Sequence, residues 1–151
     1  MELSTLLEEL GTSTGLDGLA FDADGQCSLL FDGEHEVTFV RDPEDRSLIL
    51  YCELGKLPVQ TEGLCLRLMQ ASLLGAETGG AALSVHGALN TVVLWKRHDE
   101  NFEDLAALKQ ALNAFLAQVI HWKERLPEEE RQAGGEASLE RPDLNAYGMF
   151  V

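Results

Sequence analysis

The segment Ser47-Leu48-Ile49-Leu50-Tyr51-Cys52 puts five apolar residues in succession into a chain of 151 residues whose formal net charge is −15. A strand sends successive side chains to opposite faces, so Leu48, Leu50 and Cys52 point one way and Ile49 and Tyr51 the other. One face can rest on the chain's own core. The other needs a separate cover, either the chain's final helix or a second polypeptide. Thr91-Val92-Val93-Leu94-Trp95 repeats the situation. Any fold for this chain has to dispose of that second apolar face.

Around these strands the periodicity alternates between helix and sheet. Leu3, Leu6, Leu7 and Leu10 follow the i, i+3, i+4, i+7 rule and predict a helix over 3–14, with Gly11 and Gly15 loosening its end. Three strands follow in hairpin rhythm, 26–31, 36–41 and 47–53, separated by the turn sequences "DGEH" and "DPED". Thr61 and Glu62 open a second helix whose apolar residues wrap more than one side, which suggests burial on two sides and a second subunit. Strands at 82–86 and 89–97 come next. Leu105, Leu108, Leu112, Phe115, Val119, Trp122 and Leu126 then recur at alternating spacings of three and four, predicting a helix over 102–126 capped by Asn101 and ended by Pro127. The order is α-β-β-β-α-β-β-α, an α+β fold with helices packed on an antiparallel sheet. Residues 1–127 read as one domain and 128–151 as an acidic, flexible tail whose last residues, "AYGMFV", turn apolar again.

Charge removes several classes of function. With 26 acidic residues against 11 basic ones there is no basic footprint for a nucleic acid or an anionic membrane. A basic or neutral polypeptide would be steered favourably. No run approaches the length of a membrane span, and the acidic start, "MELSTLLEELG", does not read as a signal peptide. The three cysteines, Cys27, Cys52 and Cys65, are odd in number and sit in apolar stretches, as buried thiols of a cytoplasmic protein would.

Catalytic motifs are equally scarce. "GAETGGAA" lacks the Lys-Ser/Thr ending of a phosphate loop, and reads as a helix end followed by a turn. His35, His86, His98 and His121 stand in four different elements without metal-ligand spacing, and no GxSxG elbow occurs. The expectation is a protein without catalysis, cofactor or metal that works through apolar surface.

The layout, and the run "CSLLFDGEHEVTF…DRSLILYCELGKLP…LCLRLMQASLLGAETGGAALSVHGALNTVVLWKR", resemble the class I type III secretion chaperones, in the Tir-chaperone (CesT-like) branch. The resemblance covers roughly residues 3–126. It implies a homodimeric chaperone of the bacterial cytoplasm that binds the N-terminal region of one or more secreted effectors. The chaperone would hold that region extended and secretion-competent without ATP, with the export ATPase as a further partner. By the same resemblance, Leu3, Leu6, Leu10, Leu30, Val40, Ile49 and Tyr51 are candidates to face the effector. Leu64, Leu68, Met69, Ser72, Val93 and Trp95 are candidates for the dimer interface. Two other readings stand beside this one: a regulatory protein that binds its partner on the same dimeric fold, and a small ligand-binding domain with its pocket between sheet and helices.

Overall fold

The structure is a computed structural model that describes residues 2–58 and 61–135. Its elements run α1 (Leu3–Thr14), β1 (Gln26–Phe31), β2 (His35–Asp42), β3 (Ser47–Lys56), α2 (Glu62–Ala71), β4 (Ala82–His86), β5 (Thr91–Asp99) and α3 (Leu105–Gly135). This is the expected α+β order. The five strands form one antiparallel sheet in the order β1-β2-β3-β5-β4. The chain leaves the middle of the sheet through α2, returns at the far edge as β4, and folds back as β5 beside β3.

One face of the sheet carries the core. Cys27 and Leu29 of β1, Val37 and Phe39 of β2, Leu48, Leu50 and Cys52 of β3, and Val92 and Leu94 of β5 are buried there. Against them pack Leu3, Leu6, Leu7 and Leu10 of α1, Leu64 and Leu68 of α2, and the whole three-four stripe of α3 from Leu108 to Leu126. Each of these leucines and phenylalanines stabilises the fold by roughly 1.5–3 kcal/mol relative to an exposed position. All three helices therefore compete for one side of the sheet.

α1 stops where Gly15 turns left-handed, φ 78°, and the Leu16 amide donates back to the Gly11 carbonyl at 2.7 Å. A Cβ on Gly11 would lie 2.4 Å from the Leu16 carbonyl oxygen, so only glycine permits this return.

The last helix departs from expectation at both ends. Asn101 does not cap it: the Ala107 amide donates to the Asp104 carboxylate at 2.9 Å, and the helix starts at Leu105. Nor does Pro127 end it. The helix runs through Pro127 to Gly135 because tertiary contacts outweigh the proline's lost hydrogen bond. Glu129, with its side chain 4% exposed, reaches Arg67 of α2 at 3.2 Å and Arg125 one turn back at 2.8 Å. Ala133 packs on the core beside Gly63, where an added Cβ would sit 3.3 Å from the Ala133 Cβ. Residues 128–135 thus continue the helix across α2. The expected tail beyond them, 136–151, lies outside the described residues.

Candidate functional site

The side chains on the other sheet face are fixed by register. Tyr51 pairs with Thr38 on one side and Trp95 on the other; Ile49 lies between Val40 and Arg97. Ser28 pairs with Thr38, and Leu30 with Glu36. Glu53 opposes Val93, which opposes Ser84. None of Val40, Ile49, Tyr51, Val93 and Trp95 is part of the core cluster, and by alternation with core residues each points to the face opposite the helices. Leu30 is 60% exposed, Val40, Ile49, Tyr51 and Trp95 are half-buried by their neighbours, and Val93 is buried at their centre. Short polar bridges brace the surface. The Ser28 and Thr38 hydroxyls are 2.8 Å apart, and the Trp95 indole N–H donates to Ser84 Oγ at 2.8 Å. The second face of the doubly apolar strands is therefore a shallow, aromatic-centred platform without a lid of its own among the described residues.

The two sheet edges differ. At β4, Ser72 Oγ accepts from the Leu83 amide at 2.8 Å and donates to the Leu83 carbonyl at 3.3 Å, closing that edge with a side chain. At β1, only Gln26 is engaged on the outer side: its carbonyl accepts from the Asp22 amide and its own amide donates to the Asp22 carboxylate. By the alternation of an antiparallel ladder, the outward backbone groups of Ser28 and Leu30 have no partner among the described residues. The open edge and the open face meet at Leu30.

The residues expected to contact partners divide accordingly. Leu30, Val40, Ile49 and Tyr51 come together on the platform. Leu3, Leu6 and Leu10 do not: they are buried in the subunit's own core, because α1 lies on the helix-covered side. Leu64 and Leu68 are buried for the same reason, and Ser72 is engaged with β4. Val93 and Trp95 stand on the platform, across the sheet from α2, since they alternate with the core residues Val92 and Leu94. Met69 alone of the expected interface residues is fully presented, 71% exposed. Leu74 joins it at 81%, a position that helical periodicity did not single out because it follows the helix in a 3-10 turn. Its backbone is left-handed, φ 51°, unusual for a leucine and sustained by the tight Gly75–Gly80 turn that follows.

A hollow of about 410 Å³ is lined by Glu2, Leu3, Arg41, Arg46, Glu100 and Asn101, but Glu100 holds Arg41 at 3.4 Å and Arg46 at 3.5 Å. Burial pushes the Cys27 and Cys52 thiols up, which keeps them protonated and poorly nucleophilic. Burial first, and the Glu53 carboxylate second, push the Tyr51 hydroxyl up. Among the described residues no three His, Cys, Asp or Glu side chains converge to hold a metal ion, and no helix is long and apolar enough to cross a membrane.

Comparison with known proteins places this architecture. The profile of the Tir chaperone protein (CesT) family matches residues 5–123. The chain belongs to that family. The match runs from α1 almost to the end of the α3 core stripe, so both the covered and the open sheet face fall within it. A CesT-family relative, the Tir chaperone of Escherichia coli O157:H7, is 26% identical over 89 residues, 59% of this chain and 56% of that protein. The chain thus aligns with little more than half the length of that relative. A protein of Chlamydia pneumoniae is 35% identical over 97 residues, 61% of this chain and 72% of its own length. Among solved structures, one chain of the ExsC–ExsE complex superposes with a TM-score of 0.73 at 24% identity, covering 83% of this chain and 97% of that one. The HopA1–SchA chaperone–effector complex gives 0.65 at 22% identity, covering 80% and 91%. At these identities the likeness establishes the fold.

Proposed function

We propose that this CesT-family chain is a type III secretion chaperone that acts as a cytoplasmic homodimer and holds the N-terminal region of a secreted effector in extended form. The observation that carries this reading is the uncovered platform of Leu30, Val40, Ile49, Tyr51 and Trp95 adjoining the open β1 edge. An extended segment can add to β1 through main-chain hydrogen bonds, set alternate side chains against Leu30 at that edge, and continue across the platform. Main-chain pairing is indifferent to sequence, so it suits segments that must not fold before export. Burying even about 400 Å² of apolar surface would yield roughly 10 kcal/mol gross, less the cost of ordering the segment. Binding of that kind needs neither nucleotide nor catalysis.

The second copy is proposed to cover Met69 and Leu74, beside the proposed effector surface's closed β4 edge. Delivery to the export ATPase would follow from the same role. Two measurements test the reading. Light scattering after size exclusion should give twice the 16.6 kDa chain mass at micromolar concentration. Pull-down of the full chain from its native bacterium, with mass spectrometry, should recover a larger protein held through its first hundred or so residues. A monomer that retains only a small metabolite would overturn the proposal.

A further inference from the structure

The platform is not uniformly apolar. Glu36 and Glu53 are exposed on it, and the register that pairs Val37 with Cys52 sets them opposite each other, on one side of the Thr38–Tyr51–Trp95 row. Neither carboxylate makes an ion pair among the described residues. Lys56, further along the same face, engages neither. Arg97, the cation beside Ile49, is already committed to Asp45 and to Ser47 Oγ at 2.9 Å. The result is a cross-strand pair of aromatic residues, Tyr51 beside Trp95, bordered on one side by two unneutralised carboxylates in a chain of charge −15.

We infer that the platform selects an extended polypeptide segment carrying arginine or lysine at alternate positions, the cation resting over Tyr51 and Trp95 beside Glu36 and Glu53. This deepens the reading above, on which it rests for the extended form of the ligand. Charge argues for this occupant over a second copy of the chain, which would bring a like charge of −15 against the same carboxylates. The apolar stem of the cationic side chain can lie along Ile49 and Val93 while its head stays at the rim. An extended segment lying across this face turns every second side chain towards it, so the recognised pattern has a period of two.

The test uses the full-length protein and two synthetic peptides, one alternating arginine with threonine and valine, the other with every arginine replaced by neutral citrulline. Trp95 fluorescence reports binding, with Trp95→Phe as the reference that subtracts buried Trp122. At low salt the arginine peptide should bind about tenfold more tightly than its citrulline twin, the scale of one exposed cation–π contact plus two rim charges. That preference should fall to near unity in a chain carrying both Glu36→Gln and Glu53→Gln, with the melting temperature unchanged. Trp95→Leu, followed by calorimetry, should weaken the arginine peptide about threefold to tenfold. Equal binding of both peptides, or a preference that survives the double substitution, overturns the inference. So does a Trp95 that acrylamide cannot quench, since the face would then be covered by the chain's own remaining residues or by its copy. If a secreted protein is recovered by pull-down but the peptides bind alike, the inference fails and the chaperone reading stands. If the arginine preference holds and no such protein is recovered, the reverse is true.

Discussion

At the residue scale, neighbours along one strand have opposite duties. Leu50 is sealed beneath the helices while Ile49 and Tyr51 face away from them. Phe39→Ala on the covered face should cost about 3–5 kcal/mol, read as a drop in the denaturation midpoint. Ile49→Glu should cost under about 1 kcal/mol of stability, yet weaken partner binding at least tenfold in the same preparation. Equal losses in both measurements would show Ile49 to be core. His98 supplies a pH signature. It stacks beside Phe102, 5.9 Å between ring centres, with its Nε2 buried and without a hydrogen-bond partner among the described residues. Burial, and then Lys96, lower its pKa from 6.5. The folded state therefore takes up this proton later than the unfolded chain as pH falls. Stability should decline from about pH 6.5 downwards, and His98→Leu should remove that part of the decline in thermal melts.

At the scale of elements, two contacts decide which surfaces stay open. Ser72 at the end of α2 closes the β4 edge, so Ser72→Ala would leave the Leu83 amide and carbonyl without that partner. A loss of about 1–2 kcal/mol is expected, with faster hydrogen exchange at the Leu83 amide. The second contact is the Arg67–Glu129–Arg125 cluster, which holds α3 past Pro127 against α2. Glu129→Ala should release the last turns, seen as faster exchange confined to residues 128–135. Its cost should be about 2 kcal/mol, less than for a sealed ion pair, because Arg125 is nearly half exposed. Gly75 governs the turn that presents Leu74. Its φ is 69°, and a Cβ there would meet the Gly80 Cα at 2.5 Å.

For the molecule as a whole, the division between covered and open faces sets the assembly. Three helices share one side of the sheet, and nothing described remains to cover the other. The apolar surface left over, on the platform and at Met69 and Leu74, is what a partner and a second copy are proposed to take. Leu74→Asp should then turn a dimer into a monomer in light scattering and make the melting temperature independent of protein concentration. The charge of −15 acts over the same scale through self-repulsion. Raising salt from about 10 mM to 150 mM shortens the screening length from roughly 30 to 8 Å, so the folded chain should melt higher at the upper value.

Local patterning alone determined the elements. The three-four stripe from Leu105 to Leu126, the leucines of α1 and the alternation through Ser47–Cys52 each encode a period, and a period survives without knowledge of what lies opposite. The helix order and the strands to within a few residues followed from that information, and the resemblance of the run from Cys27 to Arg97 added the family. Tertiary structure decided the rest, because burial is a property of pairs. The leucines at 3, 6 and 10 look the same whether they line a groove or a core, and only the packing of all three helices on one side made them core. Pro127 carries a local signal to stop, overruled by Glu129 and Ala133 finding partners on α2. Val93 and Trp95 went to the platform, and Leu74 emerged as an exposed knob, through register and turn geometry. A sequence records the faces an element has; which of them meets solvent is settled when the elements compete for the same sheet.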